Sequence, residues 1–86
     1  MLLLDNSTDN TLGKNLNNLF EKNNPLTDKE LVINSNSHNP QRIFLDSIDE
    51  IIIHDDSVIF NGDNGVKDFL NLNNVMSISI VDDDYI

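Results

Sequence analysis

Two stretches of this chain place aspartates directly after a run of isoleucine: IIIHDD, Ile51 to Asp56, and ISIVDDD, Ile78 to Asp84. Clustered carboxylates can do three kinds of chemistry. They can hold a divalent cation, they can share acid and base roles in a hydrolase, or they can present negative charge to a basic surface. For calcium, the oxygen ligands Asp55, Asp56, Asn61, Asp63 and Asn64 lie close together in sequence. A helix–loop–helix calcium loop needs ligands at alternate positions, glycine at the sixth and glutamate at the twelfth. Counted from Asn61, Asp63 takes the third position, but Val66 takes the sixth and no glutamate follows. NGDNG, Asn61 to Gly65, reads instead as a tight hairpin turn, because Asn-Gly supplies the positive φ such turns require.

His54 beside Asp55 invites a zinc or proton-relay reading. Zinc takes three or four N, S or O ligands, and the chain has no cysteine. His38, the other histidine, lies in a polar loop. No serine stands in a nucleophile elbow. NGDNG lacks the lysine of a phosphate loop and would repel phosphate. A domain this small leaves little room for a deep pocket beside its core. The expectation is therefore a protein that is not an enzyme, with no cofactor, no metal and no catalytic residue.

Charge is the strongest global feature. The net charge is −10, and it is unevenly placed. Residues 1–45 carry five acids and four bases, whereas residues 46–86 carry ten acids and only Lys67. Self-repulsion of that kind opposes folding, which points to a role for the charge outside folding. Direct nucleic-acid binding is excluded by sign, since such proteins show a basic face. The acidic half fits a basic protein surface, and nucleic-acid-binding proteins commonly own one.

These carboxylates need elements to position them. At 86 residues the chain is read as a single domain, 1–86, with a modest core. MLLL is too short for a signal sequence and no membrane-length apolar run exists, so a cytoplasmic protein is expected, in a host cell if phage-encoded. Residues 9–22 are predicted as a helix: Leu12, Leu16, Leu19 and Phe20 form one apolar stripe, with Thr8, Asp9 or Asn10 as its cap. Gly13 weakens it in isolation. Thr27 with Glu30 and Leu26 with Leu31 fit a helical turn, but Leu31 to Ile33 argue for a strand over about 30–34.

From Arg42 the chain is β-like and repeats itself. Ile43, Leu45, Ile48, Ile51 and Ile53 recur 27 residues later as Leu70, Leu72, Val75, Ile78 and Ile80, and Asp55 and Asp56 recur as Asp82 and Asp83. Each copy reads strand, polar corner, strand, giving strands near 42–46, 50–54, 57–61, 66–72 and 76–81. Ile52 is apolar between Ile51 and Ile53, whereas Ser77 and Ser79 flank Ile78. The first copy should therefore supply a central strand and the second a peripheral one, with the helix covering the face that carries Ile52. The predicted fold class is α+β: one N-terminal amphipathic helix on a mostly antiparallel sheet of about four to six strands, or a small open barrel.

In size, acidity, a helix ahead of an antiparallel sheet, and acidic turns such as HDDSVIF and VDDDYI, the chain resembles the small acidic inhibitors that phages encode against host defence and repair. Anti-CRISPR proteins and the uracil-DNA glycosylase inhibitor are examples. The corner-strand periodicity also resembles small SH3-like or Sm-like barrels. The inhibitor resemblance implies a DNA mimic that blocks a basic, nucleic-acid-binding surface of a partner protein. The residues expected to do so are Asp46, Asp49, Glu50, Asp55, Asp56, Asp63, Asp82, Asp83 and Asp84, with Tyr85 as an aromatic anchor. Asp55, Asp56, Asp82, Asp83 and Asp84 would be the centre. Two alternatives share the composition: an immunity protein for a basic toxin, or an assembly module acting through β-edge pairing or as a homo-oligomer, with Met1 to Leu4 and the C-terminal strand as contact.

Overall fold

The computed structural model describes residues 3–35 and 39–82. Their order is β1 (Leu3–Ser7), α1 (Thr11–Lys22), β2 (Lys29–Ser35), β3 (Gln41–Phe44), a 3-10 corner η1 (Leu45–Ser47), β4 (Glu50–His54), β5 (Ser57–Gly62), β6 (Gly65–Asn71), a second 3-10 corner η2 (Leu72–Asn74), and β7 (Val75–Asp82). The class is α+β, as predicted, but the strands form two sheets rather than one. One runs β1-β4-β5-β6 and the other β3-β2-β7. All pairs are antiparallel except β1 with β4, and neither sheet closes into a barrel.

The repeat seen in sequence is a structural duplication, and it starts earlier than Ile43. The two corners lie 27 residues apart, as do Leu31 and Val58, and Ile33 and Phe60. The unit is therefore hairpin, corner, strand: β2-β3-η1-β4, then β5-β6-η2-β7. Registers repeat as well. Ile51 pairs with Phe60 and Ile53 with Val58, while Ile78 pairs with Ile33 and Ile80 with Leu31. Even a cross-strand hydrogen bond is duplicated: Asn61 Nδ2 donates to Glu50 Oε1 at 3.1 Å, and Asn34 Nδ2 donates to Ser77 Oγ at 3.0 Å. Each corner carries the chain from one sheet to the other, so the third strand of each unit pairs with the first strand of the other unit. The halves are thus related as by a two-fold axis. Equivalent residues should meet on that axis, and Gln41 Nε2 donates to both carboxylate oxygens of Asp68, 27 residues on, at 2.8 Å.

The core is a doubled set. Leu31, Ile33, Ile43 and Leu45 are buried, and so are their equivalents Val58, Phe60, Leu70 and Leu72. The halves differ at the last strand. Ile48, Ile51 and Ile53 are buried, whereas Val75, Ile78 and Ile80 are only half-buried. β1 covers the outer edge of β4, and among the described residues nothing pairs with the outer edge of β7. β4 is therefore central and β7 peripheral, as the Ile52/Ser79 contrast implies.

Three sequence expectations need correction. Strand 42–46 ends at Phe44, because Leu45 to Ser47 turn the corner as a 3-10 segment that buries Leu45. The strand expected over about 30–34 is present as β2, and the capping pattern around Thr27 forms the turn before it. β1 was not foreseen: it is short and mostly exposed, and only its pairing to β4 makes it a strand. Finally, α1 does not cover Ile52. The helix seats Leu16 and Phe20 on the opposite face, beside Ile53, while Ile52 faces outward in a row with Asp5, Ile59 and Phe69.

Gly13 permits this seat. A Cβ there would lie 2.9 Å from Thr8 Cγ2 and 3.2 Å from Ile53 Cγ2, so glycine lets the helix axis approach β4. Asn10 caps the helix, its Oδ1 accepting from Leu12 N at 2.8 Å and Gly13 N at 3.2 Å. No helix of the described residues is long and apolar enough to cross a membrane.

Candidate functional site

The fold separates the predicted carboxylates into two groups. Asp55 and Asp56 form the β4–β5 turn, which abuts η2 and hence the start of β7: Leu72 N donates to Asp56 O at 2.7 Å. Asp82 lies at the far end of β7, an eight-residue strand. At about 3.3 Å per residue the two isoleucine–aspartate stretches run out roughly 25 Å apart, so Asp55 and Asp56 do not converge with Asp82. Asp83, Asp84 and Tyr85 lie outside the described residues.

The Asp55–Asp56 turn has structural work of its own. Asp55 sits at φ 52°, a left-handed conformation that Asp and Asn tolerate best after glycine. Its equivalent 27 residues upstream, Asp28, sits at φ 59°. The same turn chemistry thus recurs at both hinge points. Asp55 O accepts from Thr8 Oγ1 at 2.6 Å, and Asp56 Oδ1 accepts from Asn10 Nδ2 at 2.8 Å. The turn braces the entry to α1. His54 Nε2 lies 3.3 Å from Asp55 Oδ2, with both side chains largely exposed. No three His, Cys, Asp or Glu side chains of the described residues are grouped to hold a metal ion.

The other group gathers at the opposite end of the molecule. Asp46 lies on η1, Asp49 and Glu50 lie at the start of β4, Asp63 lies in the β5–β6 turn, and Asp82 lies at the end of β7. Asp28, absent from the sequence prediction, joins them, its backbone N–H donating to Asp46 Oδ1 at 3.1 Å. The rim also walls a groove of about 480 Å³ between the 24–27 loop and η1, with Asp46 and Asp49 on its side.

Asp49, at the start of β4, neighbours Asp63 of the β5–β6 turn, and Asp49 N donates to Asn61 O at 2.8 Å beside it. The hydrogen bond to Asp63 and repulsion from its charge raise the Asp49 pKa above the ordinary carboxylate value. Lys67 opposes this from nearby, and it is the only base of the acidic half. The other bases near this end are already engaged: Lys29 pairs with Asp82 and Arg42 with Glu30. Within the rim Asp82 is compensated by Lys29 and Asp49 partly by Lys67, while Glu50 is steadied by Asn61.

Compared with models of protein families, with curated proteins and with solved structures, the chain matches none.

Proposed function

We propose that this is a non-enzymatic acidic interaction protein of the cytoplasm whose rim occupies a basic, nucleic-acid-binding surface of a partner protein. Asp46, Asp49, Glu50 and Asp63 are its centre, with Asp82 at its margin. The observation that carries the reading is the Asp49–Asp63 pair. Two carboxylates are held beside each other at an exposed edge, and Asp63 raises the Asp49 pKa. Such a rim attracts a cationic surface by steering, and the attraction weakens with salt. Duplex DNA presents one negative charge per about 1.7 Å of axis, and a rim of carboxylates competes for the same cationic surface. An anti-defence role of the anti-CRISPR type is the biological setting this physics fits, and toxin neutralisation would use the same rim.

The test is competitive capture. Immobilised protein is exposed to a bacterial lysate, and bound proteins are eluted with duplex DNA or by raising salt from about 50 mM to 200 mM, a range that strongly weakens phosphate-type contacts. A partner released by both, and lost with the variant Asp46→Asn, Asp49→Asn, Glu50→Gln, Asp63→Asn, supports the reading. A partner that resists salt and DNA, or binds the four-fold variant equally, overturns it.

A further inference from the structure

We infer that the groove between α1 and β7 is a peptide-binding site. It takes an extended polypeptide segment as an added strand, parallel to β7, with an apolar residue opposite Ile78 and basic residues flanking it. The groove has a volume of about 320 Å³, with Leu12, Leu16 and Leu19 of α1 on one wall and Ser77 and Ile78 of β7 on the other. Nothing among the described residues pairs with the β7 edge that borders it. A strand edge beside an apolar helix wall supplies both things a bound strand needs: main-chain hydrogen bonds and a pocket for alternate side chains.

The internal duplication shows what such an edge accepts. β4 is the equivalent of β7, and its outer edge is occupied by β1 in parallel register. There Leu3 N donates to Asp49 O at 2.9 Å and Asp55 N donates to Ser7 O at 3.1 Å. Backbone groups alternate sides along a strand, so Asp49, Ile51, Ile53 and Asp55 face β1. Their described equivalents on β7 are Met76, Ile78, Ile80 and Asp82. Leu4, opposite Ile51, packs against the core. A guest residue opposite Ile78 would likewise enter the groove toward Leu12 and Leu19.

Charge selects the guest. A second copy of this chain would bring −10 against −10, whereas a segment bearing Lys or Arg is attracted. This site adjoins the acidic rim only at Asp82, the last residue of β7, so binding at Met76, Ile78 and Ile80 succeeds or fails independently of the rim's centre at Asp46, Asp49, Glu50 and Asp63.

The experiment titrates isotope-labelled full-length protein with a synthetic peptide that alternates leucine and serine and ends in lysines. The expected result is chemical-shift change at Leu12, Leu19, Met76, Ile78 and Ile80, with slowed amide exchange at Met76, Ile78 and Ile80. N-methylation of the peptide amides that face β7 should abolish binding, and glutamate in place of the lysines should weaken it. Leu19→Glu, at a half-buried position, should also abolish it while the spectrum stays dispersed. If that variant unfolds, the N-methylated peptide on the unaltered protein still decides. The inference is overturned if the N-methylated peptide binds as well as its parent. It is also overturned if the shifts fall on Ile52, Ile59 and Phe69, or if the protein dimerises through β7 without peptide.

Discussion

Ile51 and Ile78 occupy the same place in the two halves of the duplication, and truncating each to alanine isolates what β1 adds. Ile51 is fully buried, at 0% exposure, and Ile78 is half-buried beside the open groove. Removing three methylene equivalents from a buried site costs about 2.4 kcal/mol at 0.8 kcal/mol each. A cavity that cannot collapse adds to this, and buried isoleucine-to-alanine changes cost about 2–5 kcal/mol in all. At Ile78 part of the side chain already meets water, and the groove lets solvent fill the space. The cavity contribution disappears, and the loss should be about 1–1.5 kcal/mol. Urea unfolding followed by circular dichroism measures both. The expected difference is about 2 kcal/mol, which is large against the total stability of about 5–15 kcal/mol typical of single domains. Should Ile51→Ala fail to fold, Ile51→Val against Ile78→Val gives the same ordering on a smaller scale. Equal losses at the two positions would refute the claim that β4 is sealed and β7 open.

Further predictions concern single residues. Gly13→Ala would gain about 1 kcal/mol from helix propensity alone. Its Cβ meets Thr8 Cγ2 at 2.9 Å, and Thr8 is held by hydrogen bonds to Asp55 O and from Asn10 N. Overpacking of about 1–3 kcal/mol should therefore make the change net destabilising by urea unfolding, and a stabilised variant would contradict the packing. Asp55→Gly should keep the turn and lose nothing measurable in stability, while Asp55→Ala should cost about 1 kcal/mol at its left-handed φ. Comparable costs for both would contradict a backbone role. Because the Asp49 pKa is raised on folding, its favourable contribution is complete below the ordinary carboxylate pKa and is lost as pH rises through the raised value. Asp49→Asn should stabilise the protein at neutral pH and flatten the acid-range slope of stability against pH. An unchanged slope would place Asp63 out of reach.

Much of the fold could be read from residue spacing because duplicated apolar alternation is a local signal. Ile43 to Ile53 and Leu70 to Ile80 announced strand, corner, strand, and the isoleucine–serine contrast announced which last strand was central. The upstream part of the repeat was hidden because Leu31 to Ile33 and Val58 to Phe60 share hydrophobicity but almost no identity. β1 was hidden because its strand character is tertiary: Asp5 and Ser7 face solvent, and Leu4 alone packs inward. The helix face was misjudged because Ile52 looked buried, while the burial signal lay in Gly13, read only as a weakness. For the acidic residues, types and numbers were legible but grouping was not. Which turns share an end depends on how each corner passes the chain between sheets. That places Asp46, Asp49, Asp63 and Asp82 together and sends Asp55 and Asp56 to the far end.

The most direct test of the acidic rim is an amide chemical-shift footprint of the labelled protein bound to its DNA-displaceable partner. The account predicts changes centred on Asp46, Asp49, Glu50 and Asp63, reversed by duplex DNA, with the Asp55–Asp56 turn unaffected. A footprint confined to that turn, or one that persists when DNA is added, would contradict it.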